Sequence, residues 1–187
     1  MNRVNTYIFY SILICSVFIG CSKVDTGKSD DRLNNSTYCN QPEAINYNVG
    51  FPGVPDNTKC IFPTQVFKGS YLLYDSVLDA DSKLKRVDTL DLTLAAVNNV
   101  KINLTGFCSG TITLTANRYY KSVVDSLPLT TSSTTTMLGG QYLCGNTKDT
   151  ISGFIMKNTI DSSKISIDFT VASDSGIIFH KGTGTKK

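Results

Sequence analysis

One histidine and six cysteines carry most of the chemistry open to this chain of 187 residues. A histidine acts as general base when a nucleophile lies within hydrogen-bond reach and a carboxylate orients the ring. His180 follows Phe179 in an alternating stretch, so the two face opposite ways. With Phe179 inward, His180 is expected on a solvated surface. Gly106-Phe107-Cys108-Ser109-Gly110 has the G-x-C-x-G spacing of a nucleophile elbow, which joins a strand to a helix. Here the alternating run Thr111 to Thr115 follows instead, and Cys144 is a natural partner for Cys108. Asp75, Asp79, Asp81, Asp88 and Asp91 crowd one stretch of sequence. Two catalytic carboxyls need a shared cleft rather than shared sequence, so these are expected to be the solvated charges of a hairpin. No phosphate-binding loop, zinc-protease helix or dinucleotide fingerprint occurs. The expectation is a non-enzymatic protein with no catalytic residue, no cofactor and no bound metal.

The first twenty residues read as an export signal. Met1-Asn2-Arg3 gives a basic start, an apolar run begins at Ile8, and Val17-Phe18-Ile19-Gly20-Cys21 closes it. The run is too short to cross about 30 Å of hydrocarbon comfortably. Phe18 also stands where a secretory peptidase needs a small side chain. A Gly-Cys junction in this setting resembles the processing site of bacterial lipoproteins, although Phe18 and Ile19 depart from the commonest pattern. The resemblance implies removal of residues 1–20, lipidation of Cys21, and anchorage in the outer membrane of a Gram-negative envelope, on its periplasmic face or at the cell surface. Residues 21–38 are polar and aperiodic, as a flexible tether would be.

Cys15 leaves with the signal and Cys21 takes the lipid, so Cys39, Cys60, Cys108 and Cys144 remain. An even number in an exported chain argues for two disulfides. Of the three connectivities, Cys39–Cys60 with Cys108–Cys144 is favoured, because each pair then brackets a loop or neighbouring strands. A zinc site would need close C-x₂₋₄-C pairs, and the spacings here are far wider. The segment Cys39-Asn40-Gln41-Pro42-Glu43-Ala44-Ile45-Asn46-Tyr47-Asn48, with Asp56-Asn57-Thr58-Lys59-Cys60, is similar to a cysteine-framed module of secreted and surface proteins of Gram-negative bacteria. The resemblance covers about 22 residues and implies an exported modular protein, not a known reaction. Asn46, Asn48, Asp56 and Asn57 could offer oxygen to Ca²⁺, but only one of them is a carboxylate. Self-capping turns are expected instead.

These groups need a scaffold, and its period is two. Leu90, Leu92 and Leu94, then Ile102 and Leu104, then Ile112 and Leu114, then Ile165, Ile167, Phe169 and Val171 alternate with polar residues. Less regular strand candidates lie near 67–78, 117–125, 136–144, 150–157 and 176–183. The hydroxyl-rich run from Thr130 to Thr136 is expected as a loop or a ragged strand edge. No convincing amphipathic helix is present. Eight or nine antiparallel strands must close into a barrel or stack as a sandwich. Phe67-Lys68-Gly69-Ser70-Tyr71 resembles the F-x-G-x-[WY] start of lipocalin-like barrels. The expectation is therefore an all-β, antiparallel, lipocalin-like up-and-down barrel of about eight strands, with an immunoglobulin-like β-sandwich as the alternative. The domain plan is signal peptide 1–20, tether 21–38, disulfide-closed loop module 39–63 and all-β domain 64–187.

Charge narrows the partners. The net charge of +3 falls by one when Arg3 is removed, and no basic cluster interleaves with aromatics. Nucleic acid is excluded as the expected partner. What remains is the membrane, through the lipid, together with a small apolar ligand, a glycan or an envelope protein. Tyr119, Tyr120 and Tyr142 are the candidate ligand contacts, since tyrosine offers a flat apolar body and a polar tip.

Overall fold

The computed structural model describes residues 35–48, 53–131, 134–137 and 139–187. The signal segment, Cys21 and most of the tether lie outside the described residues. The chain divides into two compact units, Met1–Thr37 with Phe51–Val54, and Tyr38–Gly50 with Pro55–Lys187. In the first, the Val54 N–H donates to the Ser36 carbonyl at 2.9 Å. Two short strands, β1 (Thr37–Tyr38) and β2 (Val54–Pro55), are each cut by the boundary between the units. Everything below belongs to the second unit.

Its strands are β3 (Gly69–Leu78), β4 (Leu84–Ala96), β5 (Lys101–Thr105), β6 (Ile112–Ala116), β7 (Lys121–Val124), β8 (Pro128–Thr131), β9 (Thr134–Met137), β10 (Gln141–Leu143), β11 (Asn146–Lys157), β12 (Lys164–Ser173) and β13 (Gly176–Lys186). Eight of them form a closed antiparallel barrel in the order β11-β12-β13-β3-β4-β5-β6-β7, and β7 pairs back onto β11. Each strand thus lies beside its neighbour in the barrel's sequence, the up-and-down pattern of lipocalin-like barrels. β13 closes on β3 over eight residue pairs, from Phe179↔Leu78 to Lys186↔Tyr71. β10 adds an extra strand on the first half of β11.

Alternation sets the register. On β12, Ile165, Ile167, Phe169 and Val171 are buried while their neighbours are exposed or half-buried. On β3 the inward set is Tyr71, Leu73, Asp75 and Val77. A slip of one residue would turn either set into water, so the pattern itself specifies the pairing. The interior is one continuous apolar cluster, including Leu73, Leu92, Leu104, Leu114, Ile155 and Phe169. Each such side chain contributes about 1.5–3 kcal/mol by leaving water.

One end of the barrel is closed. A short helix, α1 (Pro63–Phe67), starts at a proline suited to a first helical turn. The Gln65 side chain accepts from the Phe62 N–H at 3.3 Å. α1 drives Phe67 fully inside, and the Thr64 hydroxyl donates to the Asn99 carbonyl at 3.2 Å. Beneath it the Tyr71 hydroxyl donates to the Phe67 carbonyl at 2.8 Å. Lys157 Nζ donates to that same hydroxyl at 2.9 Å and lies 5.0 Å from the tyrosine ring. Burial pushes the Tyr71 phenol up to about 12. Burial, reinforced by Lys186, holds the Lys157 ammonium below its ordinary value.

Both disulfides form as the bracketing argument favoured: Cys39–Cys60, with Cα atoms 4.9 Å apart, and Cys108–Cys144 at 6.2 Å. Around the first, Cys39, Ala44 and Cys60 make a small core against Tyr47 and Phe62. Its polar groups cap one another. Asp56 accepts from the Thr58 N–H and hydroxyl at 3.0 and 2.6 Å, and Asn46 bonds both Lys59 and Ile61. The Arg118 guanidinium lies between the Tyr47 ring, at 5.5 Å, and the Tyr119 ring, at 5.0 Å, joining this module to the closed end. The hydroxyl-rich run becomes a small separate hairpin, β8–β9, and the strand expected at 136–144 is broken into the end of β9 and β10.

Candidate functional site

The other end of the barrel is open. There a cavity of about 380 Å³ is lined by the ends of β3, β4, β11, β12 and β13, by Phe107 and Cys108 of the 106–111 loop, and by Leu143 and Ser175. The Cys108–Cys144 bridge ties the β5–β6 loop to the turn that precedes β11. Gly106 begins that loop with φ +92, and a Cβ there would fall 1.9 Å from the Asp91 carbonyl. Only glycine allows so close a crossing, and it lets Phe107 and Cys108 turn over the cavity.

Asp75 is the central group. It continues the inward series of β3 after Tyr71 and Leu73, and only 1% of it is exposed. Its Oδ2 lies 2.6 Å from His180 Nδ1, while Oδ1 is buried with no hydrogen-bond partner. The imidazole therefore donates from Nδ1 to Asp75, which leaves Nε2 as the acceptor in the neutral ring. The His180 side chain is 12% exposed, and the Phe107 ring stands edge-on to it at 5.0 Å. Phe107 in turn packs against Phe169 at 5.4 Å, so the pair rests on the apolar core.

This corrects the expectation that His180 is a solvated surface residue. β13 pairs His180 with Val77 on one side and Phe169 on the other, and both are core residues. Phe179, opposite Leu78, takes the outer face. The hairpin-charge expectation also fails for Asp75 alone. Asp79 caps its own turn by accepting from the Asp81 and Lys83 N–H groups, and Asp91 meets Lys187 on the outer face.

Asp88 lies directly opposite Asp75 across β3 and β4. Like charges so placed repel, and here each carboxylate has its own cationic or donor neighbour. Arg86 Nε bonds Asp88 Oδ2 at 2.8 Å, as His180 bonds Asp75. Asp149 stands at the rim, accepting from the Asn146 amide at 2.7 Å. Leu90, Leu143, Val171 and Ile178 supply the apolar part of the wall. The cavity's hydroxyls do not complete a triad: Ser173 and Ser175 bond each other at 2.8 Å.

The residues singled out as ligand contacts are not here. Tyr119, 69% exposed, and Tyr120 occupy the β6–β7 turn at the closed end, where they border a separate groove of about 420 Å³ with Met156 and Ile160. Tyr142 is half-buried on β10 and does not line that groove. Cys108 lies in its disulfide and a strand follows the loop, so G-x-C-x-G is not an elbow. Cys21 falls outside the described residues. Among the described residues, no cluster of three or more His, Cys, Asp or Glu is arranged to hold a metal. What the sequence offered for the mouth was one signal, a carboxylate in the apolar phase of Tyr71, Leu73, Asp75 and Val77. No protein-family model and no curated protein matches the chain.

Proposed function

We propose that this is a lipid-anchored, non-enzymatic binding protein of the bacterial cell envelope, held by an acylated Cys21, and that the barrel mouth takes its ligand. The ligand is a small molecule with a cationic or hydrogen-bond-donating head and a compact apolar body. The carrying observation is Asp75: a carboxylate 1% exposed, with one oxygen unpartnered, at the floor of a cavity of about 380 Å³. Small-molecule sites begin near about 300 Å³ and combine apolar walls with a few convergent polar groups. The deep barrel is filled by its own side chains, which favours a ligand seated in the mouth over a long apolar one threaded through the core. Arg86 and Asp88 offset each other, so Asp75 and Asp149 leave the mouth acidic. His180 bonds Asp75 and stands edge-on to the Phe107 ring, a pairing that fits a binding site as well. The glycan-platform alternative needs a row of exposed aromatics. Near the closed end Tyr119 is the exposed ring, while Tyr47 and Tyr120 are half-buried and Tyr47 stacks on the Arg118 guanidinium.

Titration calorimetry with three matched probes tests this: phenethylamine, phenylethanol and phenylpropionate. The amine is expected to bind about tenfold more tightly than the alcohol, a difference of about 1.4 kcal/mol. The carboxylate is expected not to bind. Leu90→Trp, which fills the mouth, should abolish amine binding. Tightest binding of the carboxylate would overturn the ligand class, and amine binding unchanged in Leu90→Trp would overturn the site.

A further inference from the structure

We infer that the closed end of the barrel is the face that rests on the bilayer, so that the mouth opens away from the membrane. The inference goes beyond the ligand site and rests on the proposed anchorage at Cys21. It starts from three hairpin tips. The β4–β5, β6–β7 and β11–β12 turns all stand at the closed end, and each exposes an apolar or aromatic side chain: Val97 at 58%, Tyr119 at 69% and Ile160 at 98%. At the mouth the short hairpin tips are Asp79-Ala80-Asp81-Ser82 and Asp174-Ser175; the 106–111 loop packs Phe107 onto Phe169, and Leu127, 39% exposed, lies in the segment after β7. Exposed Leu84, Val87 and Ile177 belong to strands there and point sideways from the sheet, not along the barrel axis. Isolated exposed apolar residues need no explanation. One on every hairpin tip of a single end is a pattern.

Charge follows the same axis. At the closed end Lys59, Lys68, Arg118, Lys121 and Lys186 stand outside the ion pairs of the described residues, against Glu43 and Asp56, while Lys101, Lys164 and Lys187 are paired with Asp125, Asp161 and Asp91. At the mouth six aspartates, at 75, 79, 81, 88, 149 and 174, face Lys83, Lys85, Arg86 and Lys148. An anionic lipid surface attracts the first end and repels the second. Apolar tips ringed by cationic side chains suit the interfacial layer, where headgroups give way to acyl chains.

The attachment point agrees. Residues 22–36 separate Cys21 from β1, and the chain then enters the Cys39–Cys60 module. That module packs at the closed end: Pro42 and Glu43 border a groove with Asn117, Arg118 and Tyr119. The second unit thus begins, in sequence, with the module that packs at the closed end.

The chain contains no tryptophan, so one introduced indole is a clean reporter. Ile160→Trp and Ile177→Trp mark the two ends. The lipidated protein is reconstituted in phosphatidylcholine vesicles, with and without phosphatidylglycerol, containing acyl chains brominated near the headgroup. The indole at position 160 should be quenched at least about threefold more than that at 177, and more so when phosphatidylglycerol is present. Equal quenching, or stronger quenching at 177, overturns the orientation while leaving anchorage and the ligand site intact. Mass spectrometry of Cys21 on the same sample reads the anchor separately: an unmodified thiol overturns the anchorage, and the orientation with it.

Discussion

Lys157 and Asp75 are both charged groups on inward positions of the same barrel, one at each end. Lys157 donates to Tyr71, whose hydroxyl donates onward to the Phe67 carbonyl, and α1 shuts water out above them. Asp75 has one partner, an unpartnered oxygen and a cavity beside it. A buried polar group costs least when its hydrogen bonds close on one another. The closed end is built that way, as a stopper. The mouth keeps a carboxylate at a cost that only a ligand or a specific role would offset, a departure from local consistency of the kind found at functional sites. On the proposed function, the difference places stability at one end and binding at the other.

The sharpest way to break that division is to damage the stopper. Phe67→Ala removes a fully buried ring from the closed end and should cost about 3–5 kcal/mol in urea unfolding. If the ends divide the work, amine binding at the mouth persists in whatever fraction remains folded. Loss of binding in fully folded protein would show that the two ends are coupled.

Next comes the brace at the mouth. Cys108 and Cys144 are 36 residues apart, and the chain-entropy model gives a loop of that size roughly 4 kcal/mol. Cys108→Ala with Cys144→Ala should therefore lower stability by about 2–4 kcal/mol. It should also weaken ligand binding, because Phe107 loses its tether. A matching loss of stability without weakened binding would mean that the loop is held by Gly106 and the β5–β6 pairing alone.

The pair inside the mouth is a finer test. His180→Ala leaves Asp75 with neither oxygen paired, which should cost about 1–3 kcal/mol. Replacing both, as Asp75→Leu with His180→Leu, removes the buried polar groups altogether and should restore wild-type stability or exceed it, while amine binding disappears. A double variant less stable than His180→Ala would mean that the pair stabilises the barrel instead of serving the cavity.

Most of the fold was legible in the sequence because its period is clean where it matters. β12 and the second half of β4 alternate without a break, and Phe67, Gly69 and Tyr71 sit where the barrel closes. Both disulfides followed from parity and spacing. β13 was harder. Its inward positions are Ile178, His180, Gly182 and Gly184, and its outward ones include Ile177 and Phe179, so neither face reads as apolar. The glycines are there because their neighbours crowd them; a Cβ on Gly182 would lie 2.6 Å from the Tyr74 carbonyl. That blurring hid the inward histidine. Asp75 was read with the solvated hairpin charges; its phase with Tyr71, Leu73 and Val77 marks it as inward, but its partner comes from 105 residues away, and no local pattern connects them. The tyrosines were chosen for chemistry alone, and the topology puts Tyr119 and Tyr120 on a turn remote from the mouth.

The smallest effect expected concerns the stopper's own charge. Burial lowers the pKa of Lys157 from 10.5, so the unfolded chain holds more protons as pH rises through the folded value towards 10.5. Stability therefore increases over that window. Tyr71 acts in the opposite sense, since its folded value near 12 exceeds the ordinary 10.0, but it takes effect only above about pH 10. Between neutrality and that point Lys157 governs. Lys157→Met keeps the volume and the Tyr71–Phe67 bond while deleting the charge. Its stability at neutral pH should lie within about 1 kcal/mol of the native chain, on the stabilising side. The rise in urea midpoint as pH climbs from the folded value towards 10.5 should be present in the native chain and flattened in the variant. A variant markedly less stable at neutral pH, with the rise intact, would mean that the ammonium is itself a fastener of the closed end rather than a tolerated charge.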